Sequence, residues 1–133
     1  MTEKVLRIAL LTRNPLGWGT RALDAEFRSM GHFPKVMPVR AVGVGISPPQ
    51  RLVGDGHDLV EDFDVVVQRL LGPGTLDEAL HALNLIRCLE AKGQIVVNSE
   101  KATGNCLDKY SELIGLSAAG IPIPRSHIVK ATI

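Results

Sequence analysis

One apolar run near the start of the chain, Val5–Thr12, constrains the fold more than any other feature. The run is rich in β-forming residues and is nearly continuous, which is typical of a strand covered on both faces in a parallel sheet. It is much shorter than the roughly 18 apolar residues of a membrane span, and no small-residue cleavage site follows it. The sequence therefore predicts that the fold starts with a buried strand.

Strand and helix patterns alternate along the rest of the chain. Apolar residues at helical spacing, each time followed by a glycine, predict helices over 20–30, 75–92 and 107–119. Apolar runs predict strands over 33–39, 63–68 and 94–97, and a further helical stretch opens at 98–99. Such alternation implies parallel pairing with right-handed crossovers. The predicted fold class is α/β, a Rossmann-like domain with a mainly parallel sheet flanked by helices.

Local signals add detail to these elements. Thr20 is predicted to cap the first helix, and Thr75 with Glu78 has the spacing of a capping box. Two prolines in the strand over 33–39 favour a sheet edge. The apolar positions predicted to face inward from the helix over 75–92 are Leu76, Ala79, Leu80, Leu83 and Ile86, widened by Leu85 and Leu89.

Two segments are predicted to lack regular helix. Residues 40–62 are rich in glycine and proline and are predicted to form a long loop with one short strand near 51–53. Residues 121–129 are predicted to be extended, because their two prolines forbid helix.

Composition excludes several classes of protein. Hydrophobic residues make up 45% and charged residues 22% of the 133 residues, which excludes a disordered tail. Fifteen basic against fourteen acidic residues argue against a dedicated nucleic-acid binder, and 4% aromatic residues are too few for base stacking along a single strand. Cys88 and Cys106 form no disulfide framework, so buried or half-buried thiols in a reducing cytoplasm are expected.

Basic and polar residues follow the predicted strands at the ends where α/β sheets bind ligands. They are Arg13 and Asn14, then Arg69, then Asn98 and Ser99, and we predict that they bind substrate. Arg13 precedes a helix start, and Arg69 offers a fork to a carboxylate or phosphate. The residue pattern alone leaves open a simple glycine turn after Arg13 and a surface position for Arg69. Gly72-Pro73-Gly74 would let the backbone approach a ligand closely.

The chain shows no recognisable catalytic or metal-binding motif. The four histidines have no metal-ligand spacing, and neither a Walker A sequence nor a nucleophile–base pair is present. The acidic segment 55–64 is predicted to be a solvated loop, with a cation site as the minor alternative. We therefore predict no catalytic residue and no metal ligand in this chain.

Residues 98–125 contain Asn98-Ser99, Asp108-Lys109-Tyr110 and Ala119-Gly120-Ile121-Pro122 with Pro124. With these motifs the segment resembles the junction found in RimK-type ATP-grasp ligases, the α-L-glutamate ligase family. The opening RIALLTRNP and the segment DFDVVVQRLLGPGT are also similar to that family, with Leu70 where isoleucine is usual. The chain thus resembles the N-terminal, pre-ATP-grasp domain of such a ligase.

The resemblance implies an activity for the full-length protein. Such ligases activate a carboxylate as an acylphosphate, which an amine then attacks, with ATP and Mg²⁺ (or Mn²⁺) held between two further domains. Lys109 resembles the lysine that reaches an ATP phosphate, although its spacing alone indicates a solvent-facing residue. The expected reaction adds glutamate or a similar amino acid to an acceptor, such as a ribosomal-protein carboxyl terminus, a cofactor or an amino acid. A cytoplasmic protein without nucleic-acid or membrane partners is expected, and a homo-oligomer is possible.

The resemblance also implies a division of the chain. Residues 1–120 are predicted to form the Rossmann-like domain, and 121–133 a linker or first strand leading into a missing ATP-grasp domain. Because the glycine-rich loop and the metal-binding carboxylates of that domain are absent, the fragment is expected to bind no cofactor alone and to be inactive. The alternative is a stand-alone Rossmann-like module that binds a small metabolite or a protein. A receiver domain is disfavoured, because Arg13 and Asn14 stand where an acidic pair would end the first strand.

Overall fold

Strands and helices alternate in this computed structural model, which describes residues 4–69 and 74–129. A single-turn 3₁₀ helix, Val39–Ala41, follows the second strand. The strands are β1 (Arg7–Thr12), β2 (Phe33–Pro38), β3 (Val42–Val44), β4 (Leu52–Gly54), β5 (His57–Asp58), β6 (Val65–Arg69) and β7 (Val96–Val97), and the helices are α1 (Trp18–Ser29), α2 (Leu76–Ala91), α3 (Glu100–Asn105) and α4 (Lys109–Ala118). The predicted α/β fold class is confirmed.

The main sheet has four parallel strands in the order β2-β1-β6-β7. β1 lies between β2 and β6, and its residues Ile8–Leu11 are at most 2% exposed. Successive side chains of a strand point to opposite faces, so both faces of β1 are covered. The prediction of a buried strand at the start of the fold is confirmed.

β2 forms an edge of this sheet, as its prolines predict. Pro34 and Pro38 have no backbone N–H to donate, which is tolerated where no second neighbour has to be paired. In the register with β1, Pro38 stands level with Thr12. On the other side of β1, Arg69 also stands level with Thr12.

The connection over 40–62 is not the long loop that its composition predicts. It forms a small antiparallel sheet in the order β3-β4-β5, of which only the strand near 51–53 was expected. Val42, Leu52 and Leu59 of this segment are buried and belong to the main hydrophobic core. Glycine and proline content signals turns, but these few apolar residues bury enough surface to order the segment.

The predicted cap of α1 is wrong. The N-cap is Gly17, which makes no side-chain capping bond, and α1 begins at Trp18. Thr20 instead lies inside the first turn, where it is 3% exposed and its hydroxyl bonds to Thr12 and to the Asn14 carbonyl. Tertiary contact with β1 takes the place of a local capping bond.

The capping box of α2 is confirmed, but its predicted inner face is only partly correct. Thr75 Oγ1 accepts from the Glu78 N–H at 3.2 Å, and Glu78 Oε2 accepts from the Thr75 N–H at 2.8 Å. Leu76 is 71% exposed and Leu80 47% exposed. The buried residues of α2 are Ala82, Leu85, Ile86 and Leu89. Apolar residues occur on most sides of α2, so the spacing alone does not select the side that meets the sheet.

The acidic segment is more ordered than a solvated loop. Asp58 Oδ1 accepts from the backbone N–H of Val60 at 2.9 Å, and Asp64 Oδ2 accepts from that of Arg7 at 2.8 Å. Asp55 forms an ion pair with Lys35 at 2.7 Å. In the part of the chain that the structure describes, no group of three or more His, Cys, Asp or Glu side chains is placed to hold a metal ion.

The two thiols differ in environment. Cys88 is half-buried against the core, as expected, but Cys106 is exposed. Cys106 follows the last turn of α3, where no element covers it among the described residues, and this corrects the prediction of a buried or half-buried thiol.

The end of the described chain packs little. α4 has no buried residue, and its Tyr110 and Ile114 are more than half exposed. Residues 121–129 are extended as predicted but form no strand within the described residues. The predicted domain limits, 1–120 and 121–133, stay predictions. Within 4–69 and 74–129, no helix is both long enough and apolar enough to cross a bilayer.

Two leucines of α2 provide a test of its buried face. Leu89→Ala is expected to lower the free energy of unfolding by about 2–5 kcal/mol, because it leaves a cavity in the core. Leu80→Ala, the matched control on the exposed side, is expected to cost less than about 1 kcal/mol. Urea denaturation of both variants measures the difference. Equal losses would contradict the orientation of α2.

Candidate functional site

A cleft of about 940 Å³ opens at the carboxyl ends of the parallel strands. Its walls come from the end of β1 and the turn into α1, the 3₁₀ turn after β2, the end of β6, the first turn of α2, and α3. A volume of this size suits a small molecule or the end of a chain. The cleft lies where parallel α/β sheets bind ligands.

A closed set of hydrogen bonds fixes the turn that leaves β1. The Asn14 N–H donates to Thr12 Oγ1 at 3.1 Å, and Thr20 Oγ1 donates to the Asn14 carbonyl at 3.0 Å. The Thr12 and Thr20 hydroxyls lie 3.1 Å apart. Because the Thr20 proton already goes to Asn14, the Thr12 hydroxyl is the donor between them. This buried set holds the turn against the first turn of α1.

A second buried polar contact fixes the other side of the cleft floor. Gln68 of β6 is 7% exposed and donates through Nε2 to Thr103 Oγ1 at 2.6 Å and to the Asn98 carbonyl at 3.3 Å. Thr103 belongs to α3, so this amide joins β6 to the segment that follows β7. Unsatisfied buried amides are costly, and these bonds therefore constrain the position of α3.

Arg13 is held within the protein. Its Nη2 donates to Glu78 Oε2 at 2.7 Å, and its side chain is only 19% exposed. A methyl group at Gly74 would lie 1.8 Å from the same nitrogen, so the guanidinium lies directly against the backbone there. Arg13 therefore ties the end of β1 to the amino end of α2. Leu70–Pro73, which include most of the predicted glycine-proline turn, lie outside the described residues.

The side chain of Arg69 extends to α1, whereas that of Arg13 extends to α2. A methyl group at Gly19 would lie 2.7 Å from Arg69 Nη2, so the guanidinium lies against the first turn of α1. Among the described residues, the structure shows no hydrogen bond or ion pair for this side chain. Arg69 is exposed and lines the cleft. Within the part of the chain that the structure describes, its positive charge in the cleft is therefore uncompensated.

The amino end of α1 adds to this positive field. Its N-cap makes no side-chain bond, and its first turn carries no acidic residue, whereas α2, α3 and α4 each have a side-chain cap. Gly17–Thr20 line the cleft. The helix dipole places partial positive charge at such an end, so both the helix and the arginines favour an anionic ligand.

Two further lining residues were not predicted from the sequence. Arg40, on the 3₁₀ turn after β2, is exposed, and Trp18, the only tryptophan of the chain, is 82% exposed. Arg40 follows the strand predicted over 33–39 just as Arg69 follows the strand predicted over 63–68, so the same rule could have found it. The glycine- and proline-rich composition from Arg40 onward predicts a loop, and this conceals the position of Arg40 beside a strand end.

The structure brings four of the six predicted binding residues to one cleft. Arg13, Asn14, Arg69 and Asn98 line it. Ser99 is instead the N-cap of α3, where its Oγ accepts from the Ala102 N–H at 3.1 Å. Lys109 stands at the start of α4, also outside the lining. Their roles in binding stay predictions.

Lys109 is 83% exposed and forms a hydrogen-bonded ion pair with Glu112 one turn along α4. The hydrogen bond that Lys109 donates to Glu112, followed by the Glu112 charge, raises the pKa of Lys109 above the ordinary lysine value. Lys109 therefore keeps its ammonium charge at neutral pH.

Comparison with known proteins assigns the family. The model of the RimK pre-ATP-grasp domain matches residues 6–103, which include the main sheet and the cleft walls as far as Thr103 in α3. The chain belongs to this family. The resemblance expected from the sequence is therefore confirmed. The match ends within α3, before α4.

Relatives of the RimK pre-ATP-grasp family are considerably longer than this chain. It is 31% identical over 129 residues to the tetrahydromethanopterin:alpha-L-glutamate ligase of Methanosarcina acetivorans, covering 94% of this chain and 40% of that protein. The crystal structure of a RimK domain ATP-grasp protein from Sphaerobacter thermophilus has a TM-score of 0.59 and 26% identity, covering 90% and 39% of the two chains. The chain therefore spans about 40% of the length of these relatives.

A further structure shares the fold. The ATP-grasp ligase PsnB, complexed with a phosphomimetic variant of its minimal precursor, Mg and ADP, has a TM-score of 0.63 at 20% identity. The match covers 89% of this chain and 46% of PsnB. At this identity the likeness shows the fold alone.

The Arg13–Glu78 ion pair is expected to make the stability of the fold depend on pH. Hydrogen bonding from the Thr75 N–H and then the Arg13 charge lower the pKa of Glu78 below its ordinary value near 4.5. A lowered folded-state pKa stabilises the fold above the ordinary value, and this contribution is lost as pH falls below it. Glu78→Gln keeps a side-chain oxygen that can accept the Thr75 N–H but removes the negative charge. The free energy of unfolding of the variant should therefore lie furthest below that of the wild type at neutral pH, and the difference should shrink below the ordinary glutamate pKa.

Urea denaturation across this pH range measures the gap. Glu26→Gln, an exposed change on α1, is the control and is expected to show no comparable trend. A gap for Glu78→Gln that stays constant with pH would contradict a charge contribution from this pair.

Proposed function

We propose that this chain is the acceptor-binding domain of an ATP-dependent carboxylate–amine ligase that adds glutamate or a similar amino acid to an acceptor. The observation that carries the proposal is the positive cleft on a RimK pre-ATP-grasp domain. Three guanidinium groups, Arg13, Arg40 and Arg69, line it against one carboxylate, Glu78. The name of the Methanosarcina acetivorans relative, a glutamate ligase, supports the same reaction class.

The proposed reaction proceeds in two steps. An acceptor carboxylate oxygen attacks the γ-phosphorus of ATP, the bond to the β-phosphate oxygen breaks, and an acylphosphate and ADP result. The amine of glutamate then attacks the acyl carbon, loses a proton and expels inorganic phosphate. The chain's part in this sequence is to bind and orient the acceptor, since positioning lowers the entropic barrier to a reaction between two bound groups.

Lys109 is the residue that we propose contacts a phosphate of ATP. A compact ammonium charge can offset phosphate charge as it develops, and the Lys109 side chain is exposed at the start of α4. Freeing it for ATP requires breaking its pair with Glu112, which is an exposed pair of small expected strength. The described residues form no metal-binding cluster, so the proposal assigns Mg²⁺ or Mn²⁺ to the other parts of a full-length ligase.

The proposed function is tested with full-length protein, ATP, Mg²⁺ and glutamate. Tetrahydromethanopterin, free glutamate and a peptide from a ribosomal-protein carboxyl terminus are offered as acceptors, and ADP release and product mass are measured. Acceptor-dependent ADP release with a mass gain of one glutamate residue is expected. The 133-residue chain alone is expected to give no product. Absence of ligation with every acceptor would favour the alternative, a non-catalytic binding module.

Arg69→Ala in the full-length enzyme is expected to raise the KM for the acceptor about tenfold or more, because a charge-assisted bond to an anion is lost. The KM for ATP should change little. Steady-state kinetics measure both constants, with Arg21→Ala, an exposed change on α1 outside the cleft, as control. An unchanged acceptor KM in a folded variant would remove Arg69 from the site.

Lys109→Ala is expected to weaken ATP binding, since a charge near the phosphates is removed. The dissociation constant of ATP, measured by calorimetry on the full-length enzyme, should rise about tenfold or more. Lys92→Ala, at the exposed end of α2, is the matched control. Equal ATP affinity in the wild type and the Lys109 variant would refute the proposed phosphate contact.

A further inference from the structure

We propose that Arg40 and Arg69 together hold a second anionic group of the acceptor, distinct from the carboxylate that is activated. The acceptor would then carry at least two carboxylates or comparable anions. The identification of this ligand as an acceptor rests on the proposed function, whereas the anion site itself rests on the cleft.

The register of the sheet places the two arginines on either side of β1. Arg69 ends β6 and stands level with Thr12, and Pro38 ends β2 at the same level on the other side. Arg40 follows Pro38 by two residues on the 3₁₀ turn. Neighbouring strands are about 4.8 Å apart, so the backbones at Pro38 and Arg69 are about 10 Å apart. The long side chains of Arg40, just beyond Pro38, and of Arg69 can therefore reach one anion between them.

The charge in the cleft also points to this pair. Arg13 is compensated by Glu78, with which it forms a 2.7 Å ion pair. Among the described residues, neither Arg40 nor Arg69 has a hydrogen-bonding or ion-pair partner, and both line the cleft. Two positive charges in a concave site repel each other. An anion bound between them is attracted to both and offsets that repulsion. Arg13 is therefore a positioning residue, and Arg40 and Arg69 are the ligand-binding pair.

The group held by two guanidiniums is unsuited to activation. Its oxygen lone pairs are engaged by N–H donors, which lowers its nucleophilicity toward the γ-phosphorus of ATP. Lys109, the proposed phosphate contact, does not line the cleft. The reacting carboxylate must therefore be another group of the same acceptor, outside the arginine pair.

Gly19 provides a way to move Arg69 without removing its charge. A methyl group there would lie 2.7 Å from Arg69 Nη2, so alanine displaces the guanidinium. Alanine favours helix more than glycine does, so α1 should remain folded. Gly104→Ala on α3 is the matched control, since its methyl group would make an ordinary 3.9 Å contact with Leu83.

The first experiment measures binding to the 133-residue chain. The probe is L-glutamyl-L-glutamate, and the comparison is its fully amidated analogue, which has no carboxylate and keeps only the amino-terminal positive charge. Calorimetry gives the affinity, and fluorescence of Trp18, the only tryptophan, reports occupancy of the cleft. We expect Arg40→Gln, Arg69→Gln and Gly19→Ala each to weaken binding about tenfold or more. Arg21→Gln and Gly104→Ala should bind as the wild type does.

Urea denaturation confirms that every variant is folded. Failure of the wild-type chain to bind the dipeptide at millimolar concentration would overturn the anion site. Equal losses in Arg40→Gln and the charge-matched Arg21→Gln would also overturn it, because the effect would then be one of net charge. If a longer peptide with the same carboxyl-terminal residues binds more tightly than the dipeptide, the natural ligand is a protein terminus. If it binds equally or more weakly, the natural ligand is a small molecule. Either result supports the anion site.

The second experiment uses the full-length enzyme and an acceptor found by the ligation assay. Amidating the non-reacting anionic group should raise the wild-type KM but have little further effect on Arg40→Gln. Equal effects on both enzymes would overturn the inference while leaving the ligase function intact. Conversely, dipeptide binding that depends on Arg40 in a protein without ligase activity would retain the anion site and refute the proposed function.

Discussion

Burial of β1 on both faces is the constraint on which the rest of the structure depends. Because the side-chain period of a strand is two, a shift of one residue against β2 or β6 would exchange the two faces of the sheet. The register is thus strongly specified, and it brings Thr12, Pro38 and Arg69 to one level at the carboxyl edge. The cleft, its positive charge and the proposed acceptor site all follow from that alignment.

The cleft combines a rigid floor with a charged rim. Buried bonds between Thr12 and Thr20, and between Gln68 and Thr103, hold the turns that follow β1 and β7. At the rim, Arg13 just after β1 and Arg69 at the end of β6 reach toward different helices, and a glycine at each contact leaves room for the guanidinium. Arg13 meets a carboxylate there, and Arg69 meets an uncapped helix end. This difference explains why two residues with the same position in the sequence pattern are assigned different roles.

The last helix, α4, is capped but not buried. α4 has regular capping by Asp108, whose side chain accepts bonds from the N–H groups of Tyr110 and Ser111 at 3.1 and 3.0 Å. Local chemistry therefore accounts for its formation, although no residue of α4 is buried. The family match ends before it, at Thr103. A helix can form through local bonds without being buried. The described residues account for the formation of α4 but do not bury it.

Local pattern alone determined the central strand, the edge position of β2, the α2 capping box and the positions of Arg13 and Arg69 at strand ends. Each depends on neighbours in sequence or on a rule that holds for every parallel sheet. Only the tertiary structure decided the rest. It placed Leu89 inside and Leu80 outside on one helix, ordered the small antiparallel sheet through Val42 and Leu52, and brought Arg40 to the cleft. These outcomes depend on which surfaces meet at long range, and a single sequence carries no local signal for that.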